Sequence, residues 1–138
     1  MSRGIATALA VALAVVTLST GVWSGESRPL AVGESRELAP GWVLKNLGEY
    51  PANVPGYDKV RIVELTGQPG TTIGPDEMLV PMFCTALQGE VTLELDGVKR
   101  PIKAGDSYTC AVGQKGGATN TGSEPYVERM HHLIKAGQ

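Results

Sequence analysis

The sequence predicts an all-β fold built from short strands, and two features of its composition support this interpretation. The 138 residues include 18 glycines and 9 prolines, and many of them separate short runs rich in Val, Leu and Thr. Such punctuation is typical of strands joined by turns, whereas helices would need longer uninterrupted segments. The length suffices for one domain, and with 5% aromatic residues its core must consist mainly of aliphatic side chains and Met.

The first 24 residues differ in character from the rest of the chain. Arg3 precedes an almost wholly apolar stretch from Ile5 to Val16, and small or polar residues follow as far as Ser24. This order predicts a signal peptide over residues 1–24 and an exported protein, periplasmic or secreted. The apolar character continues with breaks to Trp23, close to the roughly 20 residues of a membrane span, so an uncleaved anchor facing outside the cytoplasm is the alternative.

The charge balance limits the classes of partner. Twelve basic and 14 acidic residues give a formal net charge of −2, and no basic stretch occurs. Binding to nucleic acid requires a surface that neutralises phosphates, so nucleic acid is not an expected partner. A small molecule or a protein of the cell envelope is expected instead, and contact with a membrane only if the N-terminal segment is not cleaved.

Residues 25–58 are predicted to form an N-terminal arm that precedes the main domain. Prolines interrupt this segment at four places, and only Trp42 to Leu44 is predicted as a brief strand. In a protein with a purely structural role, this arm would be the contact with an envelope partner. The β-barrel domain is predicted over residues 59–138.

Within that domain the clearest element is a hairpin. Residues 90–95 alternate between apolar and polar side chains, Asp96 and Gly97 follow, and a second strand returns over residues 98–102. Asp-Gly between alternating segments favours a two-residue turn with positive φ at both positions. Further strands are predicted over residues 59–65, 107–112 and 126–134, with a glycine-rich loop over residues 113–122.

The spacing of glycines and of the residues between them is informative from Gly70 to Asn120. One frame has a glycine, three residues at ligand-like spacing and a second glycine, namely Gly70, Asp76, Met78, Met82 and Gly89. A second frame consists of two glycines, Gly105 and Gly113, followed at fixed intervals by Gly116 and Asn120. These intervals resemble the two motifs of the cupin superfamily, the RmlC-like proteins. The resemblance implies a double-stranded β-helix, a jelly-roll barrel with a cavity between its sheets, and a homodimer.

The same resemblance implies that the usual metal site is altered. In the family these positions hold three histidines and a glutamate, whereas here they hold Asp76, Met78, Met82 and Gly116. Thioethers and a missing side chain are poorly suited to Mn, Fe or Zn. We therefore expect a module that binds a small ligand or a partner without a cofactor. The sequence leaves open whether the protein is an enzyme, and a binding function is favoured over catalysis.

A copper-binding protein is the alternative, because soft sulfur donors select Cu(I). The candidate copper ligands are Met78, Met82, Cys84 and His132. Core packing of the same sulfur side chains is the simpler explanation for their presence. An enzyme with a nonstandard metal site belongs to the same alternative class.

Strand alternation supplies the remaining candidates for the cavity. One of the adjacent His131 and His132 must point inward, and Tyr108 shares a strand face with Cys110. The full candidate set for the cavity is Asp76, Met78, Met82, Cys84, Tyr108, Cys110, His131 and His132. Export would permit a disulfide between Cys84 and Cys110, and two buried free thiols are the alternative.

Overall fold

The computed structural model describes residues 28–138, which form an all-β domain. The predicted signal peptide over residues 1–24 lies outside the described residues. Within residues 28–138, no helix is long and apolar enough to cross a membrane. The strands are β1 (Ser35–Ala39), β2 (Trp42–Pro51), β3 (Lys59–Gly67), β4 (Thr72–Glu77), β5 (Met82–Gln88), β6 (Glu90–Leu95), β7 (Val98–Lys103), β8 (Ser107–Cys110), β9 (Lys115–Thr119) and β10 (Tyr126–Ile134).

The strands form two sheets with the core between them. The larger sheet has the order β1-β2-β3-β10-β5-β8, and the smaller one has the order β4-β9-β6-β7. Buried side chains from both sheets meet in one cluster, which includes Val63 and Met130 from the larger sheet and Val91 and Leu93 from the smaller. This arrangement is the predicted jelly roll, in which two antiparallel sheets enclose apolar side chains.

The segment predicted as an N-terminal arm contributes two strands to the barrel. Strand β2 is far longer than the three residues expected, and it pairs with β3 along its whole length. The prolines do not interrupt it, because Pro40 lies in the turn after β1 and Pro51 ends β2. Trp42 at the start of β2 is fully buried and packs against Tyr126, with ring centroids 6.4 Å apart. Between Ser35 and Pro51 the predicted arm therefore contributes β1 and β2 to the larger sheet.

The hairpin of β6 and β7 forms as predicted. Leu95 pairs with Val98, so that Asp96 and Gly97 alone make the turn. Their φ angles are +49° and +80°, the positive values that a type I′ turn requires.

The glycine-rich loop predicted over residues 113–122 is wrong in its central part. Residues 115–119 form β9, which pairs with β4 on one side and β6 on the other. Gly117 permits this close pairing, because a Cβ there would lie 2.7 Å from the carbonyl oxygen of Ile73. Glycine therefore marks a close approach of two backbones here, and not a loop.

Candidate ligand cavity

A cavity of about 190 Å³ lies between the two sheets. Aliphatic side chains from both sheets form most of its wall, among them Leu44 and Leu65 from the larger sheet and Ile73, Leu93 and Leu95 from the smaller. The alternation of the strands explains this composition, since each contributes every second side chain to the interior. The cavity is thus an apolar chamber that can accept only a few polar contacts.

Strand β10 provides the polar part of the wall. Tyr126, Glu128, Met130 and His132 follow one another at a spacing of two residues, and all four line the cavity. Glu128 was not among the residues predicted for the cavity. The parity it shares with Met130 and His132 is the signal that could have identified it, but glutamates are rarely buried and are usually assigned to the surface.

Glu128 is an enclosed carboxyl group with tyrosine neighbours. Its side chain is 2% exposed, and the Tyr126 hydroxyl donates a hydrogen bond to its Oε1 at 3.0 Å. The Tyr108 hydroxyl lies beside the same group, and burial raises the pKa of Glu128 above its ordinary value of 4.5 although both tyrosines oppose this shift. Burial and the nearby carboxyl also raise the pKa values of Tyr108 and Tyr126. The end of the cavity near Glu128 therefore favours neutral, hydrogen-bonding groups.

His132 lies four residues after Glu128 on β10, on the same face of the strand. Its Nε2 is buried and has no hydrogen-bond partner within residues 28–138. Burial is the main reason why the pKa of His132 falls from 6.5 to about 4, and the charges of Arg61 and His131 add to the effect. The imidazole is consequently neutral at pH 7, with one ring nitrogen available to a group inside the cavity.

Sulfur side chains surround this imidazole. In the register of the larger sheet, His132 is directly opposite Met82 on β5, and Met82 is directly opposite Cys110 on β8. Met78, just beyond β4, enters from the other side of the cavity, where the absence of a side chain at Gly116 leaves room for it. An imidazole, a thiol and two thioethers thus share one end of the cavity.

The structure brings together some of the predicted site residues and separates others. Met78, Met82, Tyr108, Cys110 and His132 line the cavity. The remaining three predictions are corrected: Asp76 is exposed on β4, Cys84 is buried in the core but not part of the cavity wall, and His131 points to the opposite face of β10 from His132. His131 points away from the cavity because adjacent residues of a strand face opposite sides. Cys84 does not reach the cavity wall because it lies in a deeper row of the barrel.

Both cysteines are buried free thiols. Cys84 is opposite Tyr108 and Cys110 is opposite Met82, so the two cysteines lie diagonally on neighbouring strands. The contact with Cys110 and burial both raise the pKa of Cys84. A disulfide between the two cysteines stays a prediction.

The four positions that correspond to the cupin metal ligands do not fit a hard cation. Asp76 points away from the cavity, Met78 and Met82 offer thioethers, and Gly116 offers no side chain. Across residues 28–138, no group of three or more His, Cys, Asp or Glu side chains is arranged to hold a metal ion. Chemistry that depends on Fe or Mn at these positions therefore has no donor set here.

Comparisons with known proteins establish the fold. No family model and no curated protein matches the sequence, but many solved structures match its fold. KdgF from Halomonas sp. has a TM-score of 0.60 at 18% identity, over 75% of this chain and 88% of that one. A predicted oxalate decarboxylase from Thermotoga maritima has 0.59 at 18% identity, over 75% and 92%. An RmlC-like cupin from Shewanella frigidimarina has 0.57 at 18% identity, over 80% and 95%. The cupin double-stranded β-helix predicted from the glycine spacing is confirmed.

Proposed function

We propose that this protein is an exported binding module that holds a small, largely apolar ligand in the cavity of its cupin barrel. The observation that carries the proposal is an aliphatic chamber with a buried, neutral-favouring carboxyl group in its wall. Small-molecule sites generally combine apolar walls with a few placed polar groups that fix orientation. Glu128 and its tyrosine neighbours provide those groups here.

The volume limits the size of the ligand. At about 190 Å³, the cavity is somewhat larger than an engineered cavity of about 150 Å³ that accommodates benzene. A single ring with one or two small substituents is therefore the expected class.

The polar end of the cavity favours a ligand that carries a hydroxyl group. Burial raises the pKa of Glu128, and a carboxyl group that holds its proton can both donate and accept, so a hydroxyl can pair with it in either sense. An anionic ligand would instead lie beside a carboxyl group with no cation among the described neighbours that influence its pKa, and burial of an unpaired charge is costly. Neutral alcohols or phenols are thus favoured over carboxylates.

Export is the second part of the proposal and depends on residues 1–24. The positive start, apolar centre and small residues before Ser24 support cleavage there. N-terminal sequencing of the protein from the producing cells tests this directly. A mature chain that begins near residue 25 is expected, and an intact N-terminus in the cytoplasmic fraction would contradict it.

Ligand binding can be tested with phenol and benzene as probes. Titration calorimetry should show that phenol binds about tenfold more tightly than benzene, since one well-made hydrogen bond contributes about 1 kcal/mol or slightly more. The variant Ala118→Leu fills the cavity wall and should lose both probes. The matched control Ala111→Leu changes an exposed site and should bind both normally. Absence of binding, or equal binding by the two variants, would contradict the proposal.

A further inference from the structure

The end of the cavity opposite Glu128 contains a row of three metal-ligand side chains that ligand binding does not use. His132 on β10, Met82 on β5 and Cys110 on β8 are consecutive partners in the register of three neighbouring strands. All three point inward and line the cavity. Neighbouring strands are about 4.8 Å apart, so the Cα atoms of His132 and Cys110 are separated by about 10 Å with Met82 between them.

Two further features of this row resemble a metal site. The Nε2 of His132 is buried without a hydrogen-bond partner among the described residues, and an unpaired buried nitrogen normally costs free energy unless it has a ligand. Met78 approaches from the opposite side, since a Cβ at Gly116 would lie 2.6 Å from its Cε and 3.8 Å from its sulfur. The missing side chain at Gly116 is what lets this thioether enter the cavity.

We propose that His132, Met82 and Cys110, with Met78 as a fourth donor, bind one Cu(I) ion. Thiolate and thioether donors are soft and select Cu(I), and imidazole is compatible with it. The Cys110 thiol loses its proton to solvent when the ion binds, and the sulfur then bonds to copper. The charges of Cu(I) and one thiolate cancel, so the complex can be buried in an apolar chamber without a net charge.

This donor set differs from the one predicted from the sequence in a single residue. Cys110 replaces Cys84, because Cys84 is opposite Met130 and Tyr108 in a deeper row and does not line the cavity. His131 and His132 form the matched pair of variants, because they are adjacent on β10 and only His132 lines the cavity.

The test is anaerobic titration of the mature protein with Cu(I) in competition with a chromophoric Cu(I) chelator. One equivalent should bind to the wild-type protein. Changes to residues that merely orient a ligand cost about 10- to 100-fold in metal affinity, so loss of a direct donor in Cys110→Ala should cost about 100-fold or more. His131→Gln should stay within about threefold of the wild type, whereas His132→Gln should behave like Cys110→Ala.

Thermal melting without copper shows whether each variant folds. If Cys110→Ala fails to fold, Met82→Leu replaces it, because this exchange conserves volume while removing the sulfur. Equal loss in His131→Gln and His132→Gln, unchanged affinity in Cys110→Ala or Met82→Leu, or the absence of stoichiometric binding would overturn the proposal. The titration contains no phenol or benzene, so its failure leaves the organic ligand proposal standing.

Discussion

Replacing Glu128 by glutamine should remove a loss of stability that the wild-type protein suffers as the pH rises. Burial raises the pKa of Glu128 in the folded protein above the 4.5 of an ordinary glutamate. Between these two values the folded state holds a proton that the unfolded chain releases. The free energy of unfolding must therefore fall as the pH increases through this window, and it stays at the lower level above it.

The magnitude follows from the release of one proton. The free energy of unfolding should decrease by about 1.4 kcal/mol for each pH unit within the window, beginning near pH 4.5. Glutamine has nearly the same shape, cannot ionise and still accepts the hydrogen bond from Tyr126. The difference in stability between Glu128→Gln and the wild type should thus grow with this slope and then level off.

Urea unfolding at half-unit pH intervals from 4 to 8 measures this difference, in chelator-treated protein without added ligand. Glu37→Gln provides the control, because Glu37 is exposed on β1 and lies outside the cavity. Its stability curve should run parallel to that of the wild type. A parallel curve for Glu128→Gln as well would show that the carboxyl group is already ionised in the fold, and the account of a neutral polar end would be wrong.

Three further substitutions test the fold outside the cavity wall by thermal unfolding. Gly67→Ala would place a Cβ 2.5 Å from the buried ring of Trp42 and should cost about 1–3 kcal/mol through overpacking; a loss below 0.5 kcal/mol, roughly the size of a surface change, would be inconsistent with this contact. Gly97→Ala meets no atom within 4 Å but sits at φ +80°, so about 1–2 kcal/mol should be lost through the backbone alone, and an unchanged midpoint would refute that cause. Asn120→Ala removes bonds to the carbonyl groups of Gly67 and Glu124 and to the N–H of Gly122; a loss of about 2–4 kcal/mol is expected from these unpaired groups, and a neutral result would mean that water replaces them.

The features of the fold that sequence analysis predicted are those determined by local backbone constraints. The Asp96 and Gly97 turn requires positive φ at both positions, and few other residue pairs satisfy this. Gly70, Gly89, Gly105 and Gly113 also have positive φ, so the glycines that carry the resemblance to the cupin motifs lie where the backbone requires them. Such constraints act within a few residues and are therefore visible in the sequence.

Features that depend on contacts between distant segments were not predictable in the same way. Strand β2 was underestimated because prolines at its borders resembled interruptions, although its register with β3 stabilises ten residues. The sequence predicts a loop in place of β9 because Gly116 and Gly117 weaken the strand pattern. The need for those glycines becomes visible only when Ile73 and Met78 are in place.

For the cavity, the sequence indicates which face of a strand a residue lies on but not how deep in the barrel it lies. Cys84 and Cys110 are both buried, but parity alone does not reveal which inward residue lines the cavity. Burial of Glu128 likewise depends on the smaller sheet, whose side chains complete the wall around it. Residue type misled in that case, since an acidic side chain on a strand is usually exposed.

The central claim, that the barrel holds a small neutral molecule, is tested most directly by native mass spectrometry of the mature protein isolated from its own compartment. The account expects a complex that carries one small organic molecule, which is released under denaturing conditions and is absent from Ala118→Leu. If the folded protein isolated directly from its own compartment has only the mass of its polypeptide, the claim is contradicted.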